Sequence, residues 1–273
     1  MELDIYQIDA FTDEVFKGNP AAIVPLENWT SDDILQNIAF ENNLSETAFI
    51  RRQDNTIDGD TYDIRWFTPT VEVDLCGHAT LASAHVIFEH LNHPSTTISF
   101  SCKSGALSVE KKGEVLALNF PTDTLQSIDL DAEEHQGVME AIATGLSLTP
   151  LDVYRGRDDY LILVDNEEQI VALKPDMAAI ATIPARGIIV SALGSNADFV
   201  SRFFAPQSGI PEDPVTGSAH TTLIPYWSEK LGKSMLKAKQ LSARGGTLFC
   251  EDRGNRVEIG GRAQTFLIGE ITV

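Results

Sequence analysis

Short apolar runs alternate with turn residues along the chain, and their lengths are those of strands. Leu3, Ile5 and Ile8, then Ala48 to Ile50, Ile64 to Phe67, Ile98 to Phe100, Leu107 to Val109 and Val115 to Phe120 predict a series of short strands. Leu116-Ala117-Leu118-Asn119-Phe120 has the period-two alternation of a half-exposed strand. Two segments depart from this pattern. Ser31 to Asn42 predicts a helix, with Ser31 as cap, acids in the first turn and Ile34, Leu35 and Ile38 on one face. Gly77 to Leu91 predicts another, and Thr80 to Phe88 is apolar almost all round, as a helix buried on every side requires. A buried helix amid short strands implies a curved antiparallel sheet wrapped around it.

The second half repeats the first. Arg65-Trp66-Phe67-Thr68-Pro69 is matched by Arg202-Phe203-Phe204-Ala205-Pro206, 137 positions later. Asp74 is matched by Asp213, and Gly77-His78-Ala79 by Gly217-Ser218-Ala219 at an offset of 140. Glu89, Leu91 and Ser104-Gly105 find Glu229, Leu231 and Arg244-Gly245 at that same offset. Two β-rich domains reusing turn chemistry would give isolated matches; an ordered series at a near-constant offset points to duplication. The second helix, His220 to Leu231, contains Pro225 and is expected to be kinked or shorter. Strand alternation stops at Phe120-Pro121-Thr122-Asp123, which sets the expected lobes at 1–122 and 123–273. The last strand, 265–273, is compatible with either lobe. The expected fold is thus α+β, with two pseudo-symmetric lobes, each a curved, mainly antiparallel sheet or barrel around a central helix.

Composition agrees with two such lobes. The 273 residues suffice for two domains of ~150 residues. With 43% hydrophobic and 22% charged residues, each half can bury a core. Twenty Lys and Arg against 40 Asp and Glu leave a net charge of −20, a field that repels nucleic acid and anionic lipid. Neither is an expected partner, and a site for a carboxylate must supply its own local positive potential. With the acidic start Met1-Glu2-Leu3-Asp4-Ile5 no signal peptide is expected, and no run approaches the ~20 apolar residues of a membrane span. Cys76, Cys102 and Cys250 are odd in number and scattered, which predicts a reducing, cytoplasmic setting without a disulfide framework or zinc site. No Gly-x-Gly-x-x-Gly follows a strand, so neither a nicotinamide cofactor nor a metal is expected.

The candidate chemistry gathers at the two internal helix starts. A helix N-terminus offers unpaired N–H groups and the positive end of the dipole, and glycine there lets a ligand approach the backbone. Gly77 or Gly217 alone would be an ordinary turn residue; the duplicated pair predicts a clamp for a carboxylate where the lobes meet. Glu46, in Asn43-Leu44-Ser45-Glu46-Thr47-Ala48-Phe49, is either a strand-end charge or a carboxylate entering a buried region, where burial raises its pKa toward that of a proton shuttle. Glu212 to His220 packs two acids, two hydroxyls and a histidine around the second helix start, and Asp213-Pro214 is equally the composition of a turn. His78 and His220 are candidates for satisfied core histidines, and His85, His90 and His93 lack metal-ligand spacing and read as structural.

Asn43-Leu44-Ser45-Glu46-Thr47-Ala48-Phe49, Cys76-Gly77-His78-Ala79-Thr80 and Glu212-Asp213-Pro214-Val215-Thr216-Gly217-Ser218-Ala219 closely resemble the signatures of the PhzF-like isomerases of phenazine biosynthesis. Asp9-Ala10-Phe11-Thr12 and Gly18-Asn19-Pro20-Ala21-Ala22 are similar to that family as well, so the resemblance spans essentially the whole chain. It implies the diaminopimelate-epimerase-like fold, a homodimer, and a cofactor-free isomerase acting on a small, cyclic carboxylate. By the same resemblance Glu46 is the general acid/base, His78, Asp213 and Ser218 line the substrate, and Gly77 and Gly217 supply helix-start amides. Related racemases and epimerases use a cysteine ahead of each helix-start glycine. Here Cys76 fills the first position and Thr216 the second, and threonine is a poor base, which weighs against amino-acid racemisation. Ala79 stands where the phenazine enzymes carry proline, so the phenazine substrate itself is not implied. The remaining alternative is a non-catalytic protein that keeps the cleft for a small molecule or a partner.

Overall fold

A computed structural model of the chain describes residues 1–53 and 60–273. They form two compact units, Met1–Phe120 with Glu258–Val273, and Pro121–Val257.

The first unit contains β1 (Glu2–Ala10), β2 (Asn19–Leu26), α1 (Asp32–Asn42), β3 (Glu46–Arg52), β4 (Thr61–Phe67), β5 (Glu72–Val73), α2 (Gly77–Glu89), β6 (Thr97–Cys102), β7 (Gly105–Lys112) and β8 (Val115–Pro121). Antiparallel pairings join β1–β2, β3–β4, β6–β7 and β7–β8, and parallel ones join β2–β3 and β4–β6. Helix α2 packs against β1, β2 and β3 and is buried along its length. Its two buried hydroxyls are satisfied within the helix: Thr80 donates to the Cys76 carbonyl and Ser83 to that of Ala79. Leu81, Val86 and Ile87 have no exposed surface, and burying such side chains contributes roughly 1.5–3 kcal/mol each.

In the second unit lie β9 (Gln126–Ser127), α3 (Gln136–Leu146), β10 (Asp152–Arg155), β11 (Asp159–Leu163), α4 (Glu167–Ala172), α5 (Met177–Ile180), β12 (Gly187–Leu193), β13 (Phe199–Phe204), α6 (Gly217–Leu231), β14 (Met235–Gln240), β15 (Gly246–Asp252) and β16 (Arg256–Gly261), the last running past the boundary. The order of senses repeats that of the first unit: β11–β12 parallel, β12–β13 antiparallel, β13–β14 parallel, β14–β15 antiparallel. Helix α6 packs on β11, β14 and β15, and a separate apolar core joins Ile142 and Leu146 of α3 to Ile162, Val190 and Phe204 of the strands.

Two details could not be set from the chain pattern. The final strand, β17 (Ala263–Thr272), pairs antiparallel with the whole of β1, from Glu2 opposite Thr272 to Ala10 opposite Ala263. Of the two expectations for the second helix, kinked or shorter, shortening is excluded: α6 runs for 15 residues through Pro225, against 13 in α2. Proline denies a hydrogen bond to the carbonyl four residues back, that of Thr221, and the Asp123 amide donates to this carbonyl instead, at 3.2 Å. Among the described residues no helix is long and apolar enough to cross a membrane.

Candidate active site

Glu46 opens β3, and the parallel register with β2 sets it opposite Ala21. Asn19 starts β2, fully buried, just after Gly18. Gly18 has φ +64°, and a Cβ there would lie 2.1 Å from the Ala10 carbonyl oxygen, so the corner that aims Asn19 inward admits only glycine. Cys76 caps α2 from an extended conformation, and His78 is its second residue. Together these elements bring four side chains into one buried cluster. His78 Nε2 lies 3.1 Å from Glu46 Oε2, and Nδ1 lies 3.5 Å from Cys76 Sγ and 3.2 Å from Asn19 Nδ2. Glu46, Cys76 and His78 are 9%, 7% and 5% exposed.

Burial and neighbouring charges act on two of these groups. Burial pushes the Cys76 thiol up, the charge of Glu46 pushes it further, and the opposing pull of His78 and the Ala79 amide is smaller. Cys76 is therefore a neutral thiol at neutral pH. For His78 burial acts downward, but Cys76 and Glu46 outweigh it and raise the imidazole well above its usual range. The Asn19 amide suits either charge state of the ring, since it can present its nitrogen to a neutral Nδ1 or its oxygen to a protonated one. Glu46, Cys76 and His78 also place donor atoms within 4.8 Å of one another, a set that could hold a divalent cation although no sequence spacing signalled it.

The second helix start is built differently. Thr216 caps α6, and its hydroxyl donates to Asp213 Oδ2 at 2.5 Å. Buried Gln240 crosslinks the turn: its Oε1 accepts from the Thr216 amide, and its Nε2 donates to the Asp213 carbonyl and to Thr216 Oγ1. Gly217 and Asp213 are buried, while Ser218 is half-buried and accepts a hydrogen bond from Arg186 Nη1 at 2.9 Å. Arg186, just ahead of β12, forks onto Asp159, with Nε donating to Oδ1 at 2.9 Å and Nη2 to Oδ2. Burial raises the Asp159 carboxyl against the pull of Arg186. The same burial opposes the charge of Arg186, but Asp159 outweighs it and the guanidinium pKa rises.

The sequence candidates thus fall into two groups, Glu46, Cys76, Gly77 and His78 at the α2 start, and Asp213, Thr216, Gly217 and Ser218 at the α6 start. Asn19, Asp159, Arg186 and Gln240 lie outside the strings around the helix starts; of the four, Asn19 alone stands in a string that carries the resemblance. The other histidines have structural partners: His85 and His90 share the Thr265 hydroxyl, His93 faces Asp60, His135 lies 3.4 Å from Glu134, and His220 Nδ1 donates to the Thr216 carbonyl.

Residues 8–269 match the family model described as phenazine biosynthesis-like protein. The chain is 48% identical over 271 residues to an uncharacterized isomerase of Pseudomonas aeruginosa, covering 99% of each. It superposes on the crystal structure of a phenazine biosynthesis PhzF-family protein from Enterococcus faecalis with a TM-score of 0.93 at 43% identity, covering 100% of both chains. A probable proline racemase from Agrobacterium radiobacter shares the fold alone, at 12% identity and a TM-score of 0.59, over 99% of this chain and 93% of that one.

Proposed function

The chain belongs to the phenazine biosynthesis-like family, and we propose that it is a cofactor-independent isomerase that moves a proton within a small, cyclic carboxylate, with Glu46 as general acid/base. The observation that carries this reading is the buried Glu46–His78 contact of 3.1 Å beside a thiol that burial keeps protonated. Glu46 removes a proton from a carbon of the substrate and returns it to another carbon on the same face. No net charge or electron is gained, so the scheme needs no redox partner. The charge that develops in between is stabilised by the uncapped amides at Gly77 and His78 and by the α2 dipole. His78 orients Glu46 and holds its charge. Asp213 is assigned a catalytic part with His78, orienting the substrate and assisting the proton traffic, and Gly77, Thr216, Gly217 and Ser218 are assigned to substrate binding, with Cys76 lining the site.

Glu46→Gln tests the scheme. It is expected to keep its melting temperature and a carboxylate ligand, and to lose proton exchange from D₂O into that ligand by about a thousandfold or more, the upper part of the acid/base range. A folded Glu46→Gln with full turnover would overturn it. Dialysis against EDTA is expected to leave turnover intact; loss restored by a divalent cation would make Glu46, Cys76 and His78 a metal site instead.

A second reading, a racemase working through Cys76, is favoured by the Cys76–His78 contact of 3.5 Å. It requires a base at the other helix start, where the Thr216 hydroxyl is already given to Asp213. Under the proton-shuttle reading Cys76→Ser lowers turnover by at most about tenfold, less than loss of a general acid/base; under the racemase reading α-carbon exchange disappears. Self-association is supported by the exposed apolar side chains of Phe16, Phe266 and Ile268, and light scattering is expected to give twice the 29.8 kDa of one chain.

A further inference from the structure

No metal-ligand spacing stands in the sequence, but the fold assembles a ligand set from two elements of the first unit. Glu46 comes from the start of β3, and Cys76 and His78, 30 and 32 positions later, from the start of α2. Cys76 Sγ, a ring nitrogen of His78 and a carboxylate oxygen of Glu46 form a triangle with no side longer than 4.8 Å. A relay through opposite nitrogens of one imidazole would hold the sulfur and the carboxylate much farther apart, so the two converge on one side of the ring. In keeping with this, Glu46 Oε2 and His78 Nε2 have no hydrogen-bond partner among the described residues, although they lie 3.1 Å apart. Two side chains more than nine-tenths buried thus keep bonding capacity directed into the cluster.

The dimensions suit a tetrahedral zinc ion. Bonds of ~2.3 Å to sulfur and ~2.0–2.2 Å to nitrogen and oxygen set neighbouring ligand atoms roughly 3.3–3.6 Å apart. Cys76 Sγ and His78 Nδ1 are already 3.5 Å apart, and rotation of the Glu46 carboxylate closes the remaining sides. Asn19, with Nδ2 3.2 Å from the same Nδ1, can offer its oxygen when the amide turns over. Sulfur and nitrogen donors favour Zn²⁺ over Mg²⁺ and Ca²⁺, which take oxygen. Charge acts in the same direction. Binding displaces the thiol proton to solvent, so a doubly charged ion meets one thiolate and one carboxylate and the buried site is left neutral. The net charge of −20 also concentrates cations around the chain. The site is confined to the first unit, because the positions 140 later hold Thr216 and Ser218, whose hydroxyls are poor zinc ligands.

We propose that Glu46, Cys76 and His78 form an inhibitory Zn²⁺ site, in which the ion takes the carboxylate and the imidazole that proton transfer needs. The inhibition rests on the reading of Glu46 as general acid/base; the binding of the ion does not.

The test begins with the full chain stripped by EDTA, moved to EDTA-free buffer and titrated with Co²⁺. A cobalt–thiolate bond gives a charge-transfer band in the near ultraviolet, and Zn²⁺ is then added as competitor. Wild type is expected to bind one Co²⁺ per chain with the band, and Zn²⁺ to displace it. Cys76→Ser should lose the band, with Cys76→Ala as a second variant should the first not fold. Glu46→Gln and His78→Gln should each bind at least about tenfold more weakly, with cooperative melts before metal is added. No band in wild type, or a band that survives in the Cys76 variants, overturns the site. Binding unchanged in Glu46→Gln or His78→Gln overturns the ligand set and marks an adventitious ion on the acidic surface. In the activity arm, one equivalent of Zn²⁺ should lower deuterium exchange into the ligand at least about tenfold, and EDTA should restore it. Full turnover with Zn²⁺ bound overturns the inhibition. Turnover lost in EDTA and regained with Zn²⁺ makes the ion a cofactor and overturns it as well. If no carboxylate turns over under any condition, the Glu46 scheme and the inhibition fall, while the cobalt band, which needs no substrate, still decides the site.

Discussion

Two buried histidines show how one side-chain type takes opposite states at the two helix starts. His78 faces a carboxylate and its pKa is raised; His220 donates to the Thr216 carbonyl, and burial lowers its pKa to about 4. Unfolded, both titrate near 6.5. Between pH 6.5 and about 4 the unfolded chain binds a proton at His220 that the folded chain refuses, so stability falls as the pH drops through this window. The loss approaches ~3 kcal/mol, at 1.36 kcal/mol per pKa unit. Urea unfolding at pH 7 and pH 4.5 should show it, and His220→Leu should flatten it. For His78 the sign is reversed. Its stabilisation is complete below pH 6.5 and is lost as the pH rises through its elevated folded value, so turnover should show an alkaline limb that disappears in His78→Gln.

At the scale of elements, conserved geometry between the units lies in clamps as well as in the catalytic strings. Arg65 forks onto Glu72, and Arg202 onto Glu212, each pair tying a strand to the segment that leads into a helix start. Arg65 holds the Glu72 carboxyl down at about 2. The corner at Gly18 is the corresponding device for Asn19. Gly18→Ala is expected to cost about 1–3 kcal/mol from the left-handed backbone alone, with further loss from the close approach to Ala10. It should lower kcat more than it raises KM, because it displaces Asn19 from His78 and leaves the helix-start amides in place; unchanged kcat would show that Asn19 does not serve the ring. The strands, the buried helix and the duplication were legible because they are written in local periodicity and in repeated strings. The state of α6 was not, since the donor that relieves Pro225 comes from Asp123, about a hundred positions away. Nor was Arg186, whose fork onto Asp159 joins positions 27 apart that strand pairing brings together.

For the whole molecule, chain order and unit membership disagree, and this sets what each part can do alone. The second unit is continuous and has its own apolar core. The first is not, because β1 needs β17 along its full length and β17 arrives only after the second unit is complete. Residues 1–120 expressed alone would therefore leave β1 as an open edge and are expected to aggregate. The termini offer a way to make both units continuous. Met1 and Val273 lie side by side, with the Val273 amide donating to the Met1 carbonyl at 2.8 Å, at the end of an antiparallel pair. A two-residue Asn-Gly turn can close such a pair. Joining Val273 to Met1 through that turn and opening the chain between Phe120 and Pro121 gives a permuted protein in which each unit is one uninterrupted stretch. Every strand pairing described here survives this rearrangement. The permuted chain is expected to fold with a cooperative melt and to keep proton exchange within about tenfold of the original, as permutation at adjacent surface termini usually allows. A permuted chain that folds but does not turn over would mean that the order of assembly, and not the pairings alone, sets the position of Glu46 and His78.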